Sequence, residues 1–85
     1  MKKVRQMDIV LGVNVKWDSM FDDEEELIKY LRSVDVEKFK RDHRKGYAYV
    51  EGFQKQLESG KELSPKQVTQ LKRIAKEIYR YHLNF

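Results

Sequence analysis

Leu63-Ser64-Pro65-Lys66-Gln67-Val68 carries the marks of a helix start at nearly every position. Ser64 sits where an N-cap hydroxyl accepts from a first-turn amide, and Pro65 takes the first helical position, where a missing N–H costs nothing. Gln67 follows at capping-box spacing, and Leu63 with Val68 forms a hydrophobic staple. Beyond them Val68, Leu71, Ile74, Ala75, Ile78 and Tyr81 or His82 share one face, which predicts a helix over residues 65–82. Upstream, Ser59-Gly60 supplies a C-terminal stop to the preceding segment. In that segment Val36, Phe39, His43, Gly46, Val50, Phe53 and Leu57 recur at alternating intervals of three and four, a seam that predicts a helix over residues 36–58. Asp35 is its cap, with Val34 and Phe39 as the staple. Gly46 and Gly52 each weaken such a helix by about 1 kcal/mol relative to Ala, so tight packing at Gly46 or a break near Lys45 stays open. Two long helices joined by residues 59–64 bury both seams only as an antiparallel hairpin.

The acidic run Asp22-Asp23-Glu24-Glu25-Glu26 precedes Leu27-Ile28-x-x-Leu31 and predicts a third helix over residues 23–33. Asp22 serves as its cap with Glu25 completing a capping box, and the other carboxylates favour the positive end of the helix dipole. The run lacks the ligand spacing and turn glycine of a calcium loop, so no metal is expected. Ahead of it Ile9, Leu11, Val13, Val15 and Trp17 alternate with other residues, the period of a strand. Its backbone groups need partners, and three are open: residues 2–7, a second copy in a homodimer, or the sheet edge of a target. The same residues can instead run extended across the helices. The expected fold class is therefore mainly α, a small three-helix domain with an antiparallel helical hairpin and an extended or β N-terminal segment. Residues 1–85 form a single domain in this reading, with 1–21 as the N-terminal segment and 22–85 as the helical body.

Composition narrows the function classes. An 85-residue chain buries one modest core and has little room for a deep catalytic cleft. With no cysteine, disulfides, thiolate zinc sites, iron–sulfur clusters and Cys nucleophiles are excluded, and the lean is towards the cytoplasm. Ile9-Val10-Leu11 is among the longest unbroken apolar runs, far short of the ~20 residues a bilayer demands, so no membrane association is expected. Asp8 and Asn14 also interrupt any signal-peptide core. The net charge is +4, but residues 1–35 hold six basic and eight acidic side chains whereas residues 36–85 hold twelve and six. Such asymmetry suits a basic binding face, and equally the uneven scatter of solvated charge over a small helical protein.

The segment Phe53-x-x-Gln56-Leu57-x-x-Gly60-x-x-Leu63-Ser64-x-Lys66-Gln67, closing with Leu71-x-x-Ile74, resembles a helical hairpin that recurs in small phage-encoded and DNA-metabolism proteins. The resemblance covers residues 50–82. It implies a virus-like or mobile-element origin, host cytoplasm as the place of work, and a task near nucleic acid or its handling machinery.

The stretch from Lys38 to Tyr49 interleaves cations with aromatics. Lys38, Lys40, Arg41, Arg44 and Lys45 are candidates for phosphate contact, and Tyr47 and Tyr49 for stacking on bases, although a solvated outer face with the tyrosines partly in the core explains the same residues. Lys72, Arg73 and Lys76 supply a second cationic set on the last helix, flanked by Lys66 and Arg80. A different class of function, an inhibitor or adaptor of a host protein, would use Val13, Val15, Trp17 and Phe21 as its docking residues. Trp17, Met20 and Phe21, like Tyr79, Tyr81, Leu83 and Phe85 at the other end, serve equally as core. His43 and His82 could meet across the hairpin beside Asp42 or Glu37, although two structural histidines explain them as well. Ser19, Ser33, Ser59 and Ser64 sit at turns or caps with no adjacent base. The expectation is a non-enzymatic accessory protein with no cofactor, binding nucleic acid or a nucleic-acid-handling protein through a basic, tyrosine-bearing helix.

Overall fold

Of the N-caps read from the sequence, those at Ser64 and Asp35 close in the structure by hydrogen bonds of 2.8 to 3.2 Å. A computed structural model describes residues 1–10, 15–42 and 46–83. Among them are seven helices and no strand: α1 (Gln6–Val10), α2 (Trp17–Met20), α3 (Glu24–Arg32), α4 (Val36–Asp42), α5 (Tyr47–Glu58), α6 (Pro65–Arg73) and α7 (Ala75–Leu83). At α6 the Gln67 N–H donates to Ser64 Oγ at 3.2 Å and the Ser64 N–H donates to Gln67 Oε1 at 2.8 Å, a complete capping box. At the end of α5 Gly60 takes φ 88°, with its N–H on the Leu57 carbonyl and the Lys61 N–H on the Gln56 carbonyl. That pair of bonds is a Schellman stop, which needs the left-handed conformation glycine adopts freely.

The hairpin is antiparallel, and the side chains of Gln56 and Gln67 tie it together. Gln67 Nε2 donates to Gln56 Oε1 at 2.6 Å while Gln56 Nε2 donates to Gln67 Oε1 and to the Glu62 carbonyl, each at 2.9 Å. Asp35 caps α4 as its position predicts, its Oδ1 accepting from the Glu37 N–H at 3.0 Å, and both staple residues, Val34 and Phe39, are buried. The cap of α3 lies one residue later than its spacing suggests. Asp23, not Asp22, accepts from the Glu26 N–H at 2.8 Å, and the Glu26 carboxylate reaches back to the Asp22 N–H at 3.3 Å.

Both long helices are broken. The segment expected over 36–58 divides into α4 and α5, and the one expected over 65–82 divides at Ile74 into α6 and α7. Gly46 adopts φ 90° at the first break, and a Cβ built on it would lie 3.3 Å from Ile74 Cγ2 at the second. The two bends are nested. Phe39, Val50, Phe53, Leu71, Ile74 and Ile78 thereby converge on one core with Leu27 and Leu31 of α3, while α2 and α3 pack on α7. At the bend in the last helix Tyr79, rather than Tyr81, becomes the buried phenol, 1% exposed.

The N-terminal strand is not supported. Ile9 lies in α1 and is buried, Trp17 opens α2, and Leu11, Gly12, Val13 and Asn14 fall outside the described residues. A lone strand would leave its backbone groups without partners, whereas helical turns satisfy them locally: Ile9 N–H on the Arg5 carbonyl, Phe21 N–H on the Trp17 carbonyl. Residues 1–5 are held from outside. The Lys2 N–H donates to the Met20 carbonyl at 2.7 Å, and the Tyr79 hydroxyl donates to the Lys2 carbonyl at 2.8 Å while accepting from the Val4 N–H at 3.0 Å.

The two helical glycines should answer substitution with opposite signs. Gly46→Ala forces a side chain into a left-handed backbone against Ile74 and is expected to cost about 1–3 kcal/mol, lowering Tm by about 5 °C or more. Gly52→Ala meets nothing within 4 Å in the middle of α5 and is expected to stabilise by about 0.5–1 kcal/mol. Thermal melts of the two variants check both signs, and an unchanged melt for Gly46→Ala would contradict the nested bends.

Candidate nucleic-acid interface

The α4 helix is fixed from within and charged without. Its Phe39 ring is fully buried and lies 5.9 Å from the ring of Tyr81, whose hydroxyl accepts from the Asp35 N–H at 3.1 Å. With that face pinned, Glu37, Lys38, Lys40 and Arg41 are turned to solvent. The bend at Gly46 then folds the start of α5 back beside them. Lys40 Nζ lies 5.1 Å from the centroid of the Tyr47 ring, within cation–π range. Glu37, Lys40, Arg41 and Tyr47 line an open hollow of about 540 Å³.

The remaining candidates separate. Arg44 and Lys45 lie outside the described residues. Tyr49 is 49% exposed, but it is two residues beyond Tyr47 on the same helix and so projects from another face, where its ring meets Phe53 at 6.0 Å. Arg73 is exposed next to Ile74, the residue on which Gly46 packs, and Lys76 is half-buried. Lys72 turns away from α4 altogether. Its ammonium pairs with Glu24 at 2.8 Å and sits 4.6 Å from the centroid of the Trp17 ring. The sequence shows a cation at that position but not the carboxylate and indole that engage it, which come from two other helices.

The docking residues of the alternative reading are drawn inward. Phe21 is fully buried and meets Tyr79 edge-on at 6.1 Å, so it is core and not surface. Val15 and Trp17 are half-buried against the same core, and Val13 is outside the described residues. Of the two histidines, His43 is outside them too. His82 is held by a 2.8 Å hydrogen bond between its Nε2 and the Tyr30 carbonyl, with the rings of Tyr30 and Tyr81 edge-on at 4.9 and 5.0 Å. Among the described residues no three His, Asp or Glu side chains converge as metal ligands, and no helix is long and apolar enough to cross a membrane. Glu37 was legible only as a carboxylate near His43; that it shares a hollow with Lys40 and Arg41 follows from α4 geometry.

Comparison of the chain with protein-family models, with curated proteins and with solved structures finds no match.

The acidic end of the molecule has its own electrostatics. The Glu26 carboxylate lies 3.1 Å from the Met1 ammonium and accepts from the Asp22 N–H. Partial burial pulls this carboxyl upward, but the ammonium and the hydrogen bonds at Asp22 outweigh it and hold Glu26 below its ordinary value. A carboxyl depressed on folding contributes stability above its unfolded-state pKa and loses it as pH falls through the folded-state value. Glu26→Gln is therefore expected to lower Tm near neutral pH, with the gap to the unaltered protein closing as pH falls below about 4.3. Melts of the two proteins across that range provide the check, and a gap independent of pH would place the effect in packing instead.

Proposed function

We propose that this chain is a non-enzymatic accessory protein that binds nucleic acid through the outer face of α4 and the hollow beside it. The observation that carries the reading is the Lys40–Tyr47 pair at 5.1 Å, set in a hollow that Arg41 also lines. Cations rimming an accessible aromatic ring are what a phosphodiester strand with unstacked bases requires: charge for the backbone, a π-face for the base. Lys38 adds an exposed cation to α4 beside the residues that line the hollow. The resemblance of residues 50–82 to hairpins of phage-encoded and DNA-metabolism proteins points the same way, and a phage-like role in the cytoplasm, on nucleic acid or its handling machinery, belongs to this proposal.

Binding should be electrostatic in part and local. With Lys38, Lys40 and Arg41 each neutralising one phosphate of a single strand, log K is expected to fall with log salt at a slope of about −2. The double variant Lys40→Ala/Arg41→Ala should weaken binding at least about tenfold and flatten that slope by about 1.4. Lys61→Ala/Lys66→Ala, which removes two exposed cations near the hairpin turn, should change either quantity little. Fluorescence anisotropy with labelled single-stranded and duplex oligonucleotides at several salt concentrations measures all three. Absence of binding at low salt, or equal effects of the two double variants, would overturn the proposal.

A further inference from the structure

We infer that the α4 hollow receives one unpaired guanine, whose Watson–Crick edge is read by Glu37 while Arg41 and Lys40 hold the flanking phosphates. The inference rests on the nucleic-acid reading above and names the base within it. Its starting point is the shape of the site. A seven-residue helix such as α4 is only about 10 Å long, and its cations rim a concavity instead of forming a ridge. Major-groove readers present a convex helix to base edges, so a hollow fits a duplex poorly and a splayed single base well. At about 540 Å³ the hollow falls within the range of about 300–1,000 Å³ that holds small ligands.

Glu37 decides the base. Glu37 lies in the first turn of α4, where a carboxylate favours the helix dipole, but it opposes phosphate, and what it offers a ligand in the hollow is an acceptor. Its carboxylate has no ion-pair partner among the described residues, and Glu37 is exposed where Lys40, Arg41 and Tyr47 meet. An ionised carboxylate only accepts hydrogen bonds, through two oxygens side by side. Guanine offers two donors side by side on its pairing edge, the N1 imino and N2 amino groups, and these meet the carboxylate in parallel. Adenine and cytosine present one amino group next to an acceptor, and uracil or thymine one imino group between two acceptors, so each sets at least one acceptor against a carboxylate oxygen. Tyr47 supplies the ring on which the base lies. The Lys40 ammonium, now over that ring, exchanges its place with the base and turns to the phosphate.

The experiment uses the full chain and labelled ten-nucleotide oligo-dT and oligo-U strands carrying one central guanine, or at the same place inosine, which lacks the N2 amino group. Guanine is expected to bind about tenfold tighter than inosine in the series the protein prefers, the effect of one hydrogen bond to a charged acceptor. Glu37→Gln should bring the two within about twofold while leaving the affinity for the unsubstituted strand equal or higher, since it removes a repulsive charge. Either the deoxy or the ribo series showing this pattern supports the inference. Equal binding of guanine and inosine strands overturns it and leaves the nucleic-acid reading standing. A guanine preference that survives Glu37→Gln also overturns it, as does tighter binding when the guanine is paired in a duplex. No binding to any strand overturns both.

Discussion

The contact between the Gly46 backbone and the Ile74 side chain is the constraint from which the arrangement of the chain follows. A straight helix over residues 36–58 would run about 35 Å and could bury only one stripe of its surface. Two such rods form a hairpin but cannot enclose the aromatic residues that the N-terminal third brings. With a bend in each rod at the same level, four shorter helices surround the core, and Phe21, Phe39, Leu71 and Tyr79 all lie within it. The same bend makes the site. On a continuous helix Lys40 and Tyr47 would be separated by about 10 Å along the axis, two turns apart. Turning the chain at a left-handed glycine brings the ammonium to 5.1 Å from the ring and opens the hollow between them.

The last helix holds the rest of the chain in register through the polar tips of its aromatic residues. Tyr79 bonds the Lys2 carbonyl and the Val4 N–H, Tyr81 the Asp35 N–H, and His82 the Tyr30 carbonyl. Each side chain puts an apolar body against the core and spends its donor or acceptor on backbone distant in sequence, the arrangement buried tyrosines need if the hydroxyl is not to be stranded. Through Tyr81 the constraint passes to the α4 cap and so to the orientation of Lys40 and Arg41. Gln54 does the same work for α3, its Nε2 donating to the carbonyls of Leu31 and Val34 at 2.8 Å each.

What the sequence made legible was local. Ser64, Asp35 and Gly60 act where their spacing placed them because a cap is settled by four or five consecutive residues. The outward orientation of Lys38, Lys40 and Arg41 follows equally from the helical period once Phe39 is assigned to the core. The bend at Gly46 was half legible, since glycine permits it without requiring it. The bend at Ile74 was not, because no glycine or proline marks it and only the packing of Gly46 explains it. Alternation from Ile9 to Trp17 suggested a strand because period two describes side-chain faces and says nothing of whether a second strand exists to pair with. The surroundings of Phe21 and Lys72 were not legible for a related reason: their partners, Tyr79, Glu24 and Trp17, come from other elements of the chain.

Charge counts alone would also misdescribe the proposed binding face. The chain carries +4 in total, yet Lys72 is taken up by Glu24, Lys55 by Glu51 at 3.0 Å and Arg5 by Asp8 at 3.0 Å, so several of its cations serve the protein itself. Among the described residues Lys38, Lys40 and Arg41 show no ion pair, and exposed charges of this kind are screened within about 10 Å at ordinary ionic strength. On the proposed function, a strand bound there would be discriminated chiefly by short-range contacts. The carboxylate of Glu37 sharpens this argument, since it lowers the attraction for any strand that does not offer it donors. Under the proposed reading a mixed hollow of this kind would trade general affinity for selectivity, which is the physical sense in which α4 differs from an evenly basic helix.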